Sequence, residues 1–170
     1  MTGMEICGID PGLETSGYAV LTIDDDGGAV TVRDAGVCRT DAGDPLAQRL
    51  ARIEADFCEL LGQFRPDAVG VEQLYAHYKH PRTAILMGHA RGVILAVAAR
   101  LSPAVHDFSA TQVKRYMTGN GRASKAQMQR SVMSALGLIR VPEPNDVADA
   151  LAVALCCAHQ CRNPRPTVCP

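Results

Sequence analysis

Several features are scarce in this chain of 170 residues, and each scarcity removes a class of protein. No run approaches eighteen uninterrupted apolar residues, so no segment reads as a membrane span and no membrane partner is expected. The first residues show no basic segment followed by a long apolar stretch and a small-residue cleavage site. No secretory signal is therefore expected, and the expected location is the cytoplasm. Internal repeats and low-complexity linkers are also missing, and the length suits one domain with a full hydrophobic core. We expect that domain to cover residues 1–160, with residues 161–170, rich in proline, as a short frayed tail.

Acidic residues are almost missing from residues 73 to 142. Ten bases there (Lys79, Arg82, Arg91, Arg100, Lys114, Arg115, Arg122, Lys125, Arg130 and Arg140) stand against one acid, Asp107. The remainder holds seven bases and seventeen acids, so a formal net charge of −1 conceals segments of +9 and −10. A solvated charged surface does not explain seventy residues with a single acid; a basic surface that meets a polyanion does.

What is present includes seven cysteines, an odd number without a secretory context, so a disulfide framework is not expected. Cys156, Cys157, His159 and Cys161 crowd one stretch. Structural zinc sites draw ligands from two separated knuckles, and the sequence offers no second one. On an apolar helix these cysteines are expected to pack as small apolar side chains.

The apolar pattern gives the elements. "MEICGID" reads as a strand ending at an acid, and "GYAVLTIDDDGGAVTVRDAGVCRT" as two strands turned at "DDDGG". Asp44-Pro45 reads as a cap followed by proline at the first helical position. The helix should run to about Phe64, with Leu46, Leu50, Ile53, Phe57, Leu60 and Leu61 as its core face. "DAVGVEQ" and "AVHDF" read as buried strands. Pro81 to Arg100 reads as a helix whose "GHARG" suggests close packing. "SATQ" and "SKAQ" are capping boxes that should each start a helix, with "TGNGR" as a turn between them. "NDVADALAVAL" opens a last helix buried nearly all round. Strands first, then strands alternating with helices, predict a mixed α/β sheet with helices on its faces.

Four acids stand where apolar elements begin or end: Asp10, Glu72, Asp146 and Asp149. Asp146 and Asp149 are three apart and share a helix face. If the two strands are neighbours and the last helix crosses their ends, all four converge, at the end of a sheet where active sites gather. Such like charges cannot share a dry pocket bare. Divalent ions resolve the repulsion; Mg²⁺ takes oxygen ligands, and two ions about 4 Å apart suit phosphodiester cleavage. Each acid also has a plainer explanation. Asp146 suits a helix N-terminus, Asp10 a "DPG" turn, and Glu72 an ion pair with a nearby arginine. Asp149, a turn further into an apolar helix, has no such easy account.

Taken together, "GIDPGLETSGYAV", "VGVEQLY", "GHARGV", "SATQVKRYMTG" and "NDVADALAVA" resemble, in order and spacing, the RuvC family of crossover junction endodeoxyribonucleases. The likeness spans roughly residues 4 to 158. It implies a ribonuclease-H-like fold and a homodimer that cuts four-way Holliday junctions with paired symmetric nicks, leaving 5′-phosphate and 3′-hydroxyl ends. It also implies dependence on Mg²⁺ (two per site) or Mn²⁺ and a branch-migration motor as partner in recombination and repair. By motif, the metal-binding acids are Asp10, Glu72, Asp146 and Asp149. Lys114 and Lys125 match basic positions that contact DNA near the site, and Tyr75 matches an aromatic position that stacks on a base. Lys79, Arg82, Arg115 and Arg122 are added from the basic segment as DNA contacts. The stretch after Tyr75, with Tyr78, His77, His80 and His89, departs from the family pattern. The helix containing "ILMGHARGVILAV" is the expected dimer interface, with Met87 and Ile94 on it.

Three other functions share parts of this pattern. Actin-type and sugar-kinase ATPases open with a similar strand, acid, Gly-rich turn and strand but need a second domain that 170 residues cannot hold. A non-catalytic junction- or DNA-binding module would not need all four acids. A ribonuclease-H-like enzyme of RNA–DNA hybrids would share them, but "QVK", "SKAQ" and the tyrosine after "VEQ" favour the junction enzyme.

Overall fold

The computed structural model describes residues 3–25, 29–74 and 81–163. β1 (Gly3–Asp10), β2 (Thr15–Asp24) and β3 (Val30–Arg39) form an antiparallel meander. Of the expected "DDDGG" turn between β2 and β3, residues 26–28 lie outside the described residues. α1 (Leu46–Phe64) leads to β4 (Ala68–Glu72), and α2 (Pro81–Leu101) leads to β5 (Val105–Phe108). β4 pairs parallel to β1 and β5 pairs parallel to β4, giving one sheet of order β3-β2-β1-β4-β5. Three helices close the described chain: α3 (Ala110–Thr118), α4 (Lys125–Leu136) and α5 (Asn145–Arg162). This is the mixed α/β architecture expected.

Alternation along the strands divides the core in two. Cys7, Ile9, Val20, Val69 and Val71 point to the face covered by α1 and α2. Ile6, Ala19, Leu21, Ala68 and Phe108 point to the face covered by α5, with α3 and α4 beside it. The six residues expected on the core face of α1 all pack there, Leu46 and Leu50 partly exposed. Both capping boxes form: the Ser109 and Ser124 hydroxyls accept from the backbone N–H of Gln112 and Gln127, whose side chains accept from the serine N–H in return.

Four local expectations need correction. Pro45, not Asp44, is the cap of α1: its carbonyl accepts from Gln48 and Arg49, and Leu46 is the first helical residue. β5 is an edge strand rather than a buried one, with Phe108 its buried residue and Asp107 exposed. A side chain added at Gly88 or Gly92 would find no atom within 4 Å, so the close packing of "GHARG" is made by Ala90, fully buried, and not by its glycines. Ile94 is fully buried within the chain's own core and is unavailable to a partner. α2 is long and apolar enough to pass a membrane-span test by composition, yet Ala90, Ile94, Val97 and Ala98 seat one face of it in the core. α5 continues past residue 160 to Arg162, and the rest of the expected tail, 164–170, lies outside the described residues.

Candidate active site

α5 is laid directly on the sheet by three glycines. A Cβ at Gly8 would stand 2.3 Å from the Ala154 nitrogen, and one at Gly17 would stand 2.1 Å from the Asp146 carbonyl oxygen. At Gly70 the Cβ of Cys157 would be 2.9 Å away. These glycines lie on β1, β2 and β4, and Gly8 pairs with Gly70 in register. Glycine inside a strand marks close backbone approach, and here the approaching backbone is the helix that carries two of the acids. Gly17 also pairs with Asp10, so the close approach of α5 falls beside the carboxylate that ends β1.

The result is a cleft of about 250 Å³ whose wall includes Asp10, Glu72 and Asp149. Asp146 stands beside it, near enough to repel the Asp10 charge. Lys114, on α3, and Lys125, the first residue of α4, complete the polar wall, while Val113, Met128 and Ala152 make an apolar floor. The two capping boxes therefore aim a lysine each at the acids: they fix where α3 and α4 begin, and Lys114 and Lys125 follow within the first turn or two. Gln129 Nε2 donates to Asn145 Oδ1 at 2.9 Å, tying α4 to the start of α5.

Asp146 does stand in the first turn of α5, as its plainer account has it, but the plainer accounts of Asp10 and Glu72 fail. The "DPG" turn is held by Ser16, whose hydroxyl accepts from the Gly12 N–H at 3.0 Å and donates to the Gly12 carbonyl at 2.6 Å; Asp10 takes no part. Arg91 does approach Glu72, but it donates to the backbone carbonyl at 3.0 Å and pairs its charge with Asp107. Among the described residues, none of the ion pairs engages Asp10, Glu72, Asp146 or Asp149.

The electrostatics express this crowding. Burial, then repulsion from Glu72, Asp149 and Asp146, pushes the Asp10 carboxyl up to about 8, with Lys125 opposing. Burial, then Asp149, pushes Glu72 up to about 7, with Lys114 opposing. Asp149 is also raised, by burial above all, against the pull of both lysines. Half-buried oxygen donors that repel one another and lack a protein cation strong enough to neutralise them fit a hard divalent ion.

The other expected contacts disperse. Arg82 and Arg122 are exposed, at the first turn of α2 and between α3 and α4. Arg115 turns away from the acids to a separate cavity beside Tyr116 and His159. His89 is exposed and bonds the Ile85 carbonyl through Nδ1 at 2.7 Å, an ordinary surface role. Tyr75, His77, Tyr78, Lys79 and His80 lie outside the described residues. Gly8, Gly17, Gly70, Ser16 and the Gln129–Asn145 bond were not singled out from the sequence. The glycines alone carried a signal, as small residues inside strand patterns.

The sequence model of the family described as crossover junction endodeoxyribonuclease RuvC matches residues 6–157. A crossover junction endodeoxyribonuclease RuvC of Rhodopirellula baltica is 48% identical over 159 residues, 94% of this chain and 88% of that protein. The structure of RuvC from Thermus thermophilus superposes with a TM-score of 0.85 at 34% identity, covering 94% of this chain and 96% of that one. The T. thermophilus RuvC in complex with a Holliday junction substrate gives 0.83 at 31% identity, over 95% and 97% of the two chains. The shared fold is ribonuclease-H-like.

Proposed function

Because the chain belongs to the RuvC family, a family of metal-dependent nucleases, we propose a site-by-site account of how it resolves four-way DNA junctions. It is a Holliday junction resolvase, an endodeoxyribonuclease of recombination and repair that binds junction DNA. The observation that carries the assignment of its site is the single cleft where Asp10, Glu72 and Asp149 face Lys114 and Lys125.

Asp10, Glu72, Asp146 and Asp149 would hold Mg²⁺, two ions per site, with Mn²⁺ as a substitute. When bound, the ions would supply Lewis-acid polarisation of the scissile phosphate and lower the pKa of the attacking water. The chain's own residues do the rest. Lys114 and Lys125, on the wall of the same cleft, would neutralise the scissile phosphodiester. Val113, Met128 and Ala152 keep the floor dry, which strengthens each charge interaction above it. Arg82, Arg122 and Lys79 would add phosphate contacts, and Tyr75 would stack on a base near the crossover. Arg115, on a different cavity, would meet DNA only beyond the cleft.

A second copy of the chain is proposed to sit on the outer face of α2. Ile85 is 62% exposed there, and Gly88 and Gly92 follow at helical spacing with open space above them. A two-fold dimer would present two equivalent sites to a junction of matching symmetry. Docking of a branch-migration motor and a cytoplasmic location complete the proposal, on family membership alone.

The test is a labelled, branch-migratable four-way junction incubated with and without Mg²⁺, beside Asp149→Asn, with linear duplex and an RNA–DNA hybrid as controls. Paired symmetric nicks restricted to the junction, dependent on the metal and lost in the variant, are expected. Tight binding without cutting by the unaltered chain would sink the catalytic reading, and cutting of the hybrid would sink the substrate.

A further inference from the structure

The sequence offered cysteines on one helix and no second knuckle; the fold supplies the missing ligand from a strand. Cys157 and Cys161 are four apart on α5 and so share a face. That face meets His106 on the edge strand β5. His106 Nε2 lies 3.7 Å from Cys161 Sγ, and one ligand atom from each of the three residues falls within 4.8 Å of the other two. Among the described residues this is the group of His, Cys, Asp and Glu that reaches such spacing. The neighbouring His159 and Cys156 do not join it. His159 stacks on Tyr116 with ring centroids 4.8 Å apart, and Cys156 belongs to the core beneath the sheet face.

We propose that His106, Cys157 and Cys161 form a zinc site that clips the last turns of α5 to the edge of the sheet. Zinc bonds of about 2.0–2.3 Å put tetrahedral neighbours roughly 3.3–3.8 Å apart, so the S···N separation of His106 and Cys161 already matches, and the Cys157 sulfur lies within 4.8 Å of both. Cys157 is fully buried while His106 and Cys161 are half-buried, which leaves an entry path and a fourth position for water. Gln160 Nε2 stands 3.3 Å from His106 Nδ1. A half-turn of that amide puts its oxygen on Nδ1–H and fixes the tautomer whose Nε2 lone pair faces the sulfurs. Binding would release both thiol protons to solvent.

The site is independent of catalysis. Eight residues of helix separate Cys157 from Asp149, about 12 Å at 1.5 Å per residue. Zinc here would hold the last turns of α5, at the end of the row of glycine contacts that runs along it from Asp146 to Cys157.

The full reduced chain, stripped of metal, is titrated with Co²⁺ and then Zn²⁺ and followed by absorbance. Expected is one Co²⁺ per chain showing thiolate-to-cobalt charge transfer, bleached by Zn²⁺, with a Zn²⁺-dependent rise in Tm. Cobalt at the carboxylates gives no sulfur band, so the two sites are distinguished. Cys161→Ser should abolish the band, and His106→Asn should weaken Zn²⁺ binding at least about tenfold, both with unaltered Mg²⁺-dependent junction cutting. Cys169→Ser, in the tail, should change nothing. Absence of the band in the unaltered chain, or its survival in both Cys161→Ser and His106→Asn, overturns the proposal.

Discussion

A Cβ on Gly17 would lie 2.1 Å from the carbonyl oxygen of Asp146. The start of α5 therefore rests on bare backbone of β2, and the acids that α5 carries are placed by what Gly17 lacks. Gly17→Ala must push the helix off the sheet. It is expected to cost at least roughly 1–3 kcal/mol of stability and to lower cleavage more than junction binding. Gly62→Ala, where a Cβ meets nothing within 4 Å, is the matched control. Melting and single-turnover cleavage report both effects; an unaltered Tm and rate for Gly17→Ala would sink the argument.

Asp149 lies between two lysines and three other carboxylates, a turn into the mostly apolar α5. Asp149→Asn keeps the shape and removes the charge. Cleavage in Mg²⁺ should fall by at least about 100-fold, while junction binding without metal is kept or tightened because a negative charge is gone. Near-normal cutting would remove Asp149 from the metal-binding set.

Asp10 and Glu72 are raised to about 8 and about 7. A carboxyl whose folded value exceeds its unfolded one, near about 4, contributes its stability in full below that pH and loses it as pH rises through the folded value. The metal-free chain should therefore lose stability between about pH 4 and 8. Asp10→Asn should melt higher than the unaltered chain at pH 8, and the difference should shrink toward pH 4. Mg²⁺ should narrow the gap at pH 8 by stabilising only the unaltered chain. Parallel melting curves across that range would contradict the charge crowding.

Lys125 pulls Asp10 and Asp149 down, and Lys114 does the same for Glu72 and Asp149. Replacing either with Met should shift the acidic limb of the pH–rate profile to higher pH. It should also reduce the slope of log binding constant against log salt by about one. Loss of affinity with an unchanged salt slope would place that lysine off the phosphate.

Ile85 and Ile94 separate dimerisation from folding. Ile85→Glu on the exposed face of α2 should give a folded monomer by light scattering, whereas Ile94→Asp buries a charge in the core and should unfold the chain. A folded Ile85→Glu dimer would move the interface elsewhere.

Much of this was legible from local pattern. The alternation of β1, β2 and β4, the 3.6-residue stripe of α1 and the capping boxes at Ser109 and Ser124 depend on near neighbours in sequence, which is why they could be read directly. The acids were conspicuous for the same reason, each standing at the boundary of an apolar run. β5 misled because "AVHDF" reads alike in a central or an edge strand, and its place was decided by which strands paired. "GHARG" was legible only in part, because small residues permit close approach without saying which of them is approached: Ala90 is buried and the two glycines are open.

By itself, then, the sequence determined the elements, the boundary acids and the charge-segregated halves, since these rest on side-chain chemistry and short-range periodicity. Tertiary structure decided what lay beside what. Gly17 received the Asp146 backbone, Lys114 and Lys125 were turned into the acid cleft, Arg115 was turned out of it, and His106 was carried to Cys157 and Cys161. The site they build joins carboxylates up to 139 positions apart, the separation of Asp10 from Asp149. No local pattern encodes such meetings; they follow from the single way two apolar faces of one sheet can both be covered.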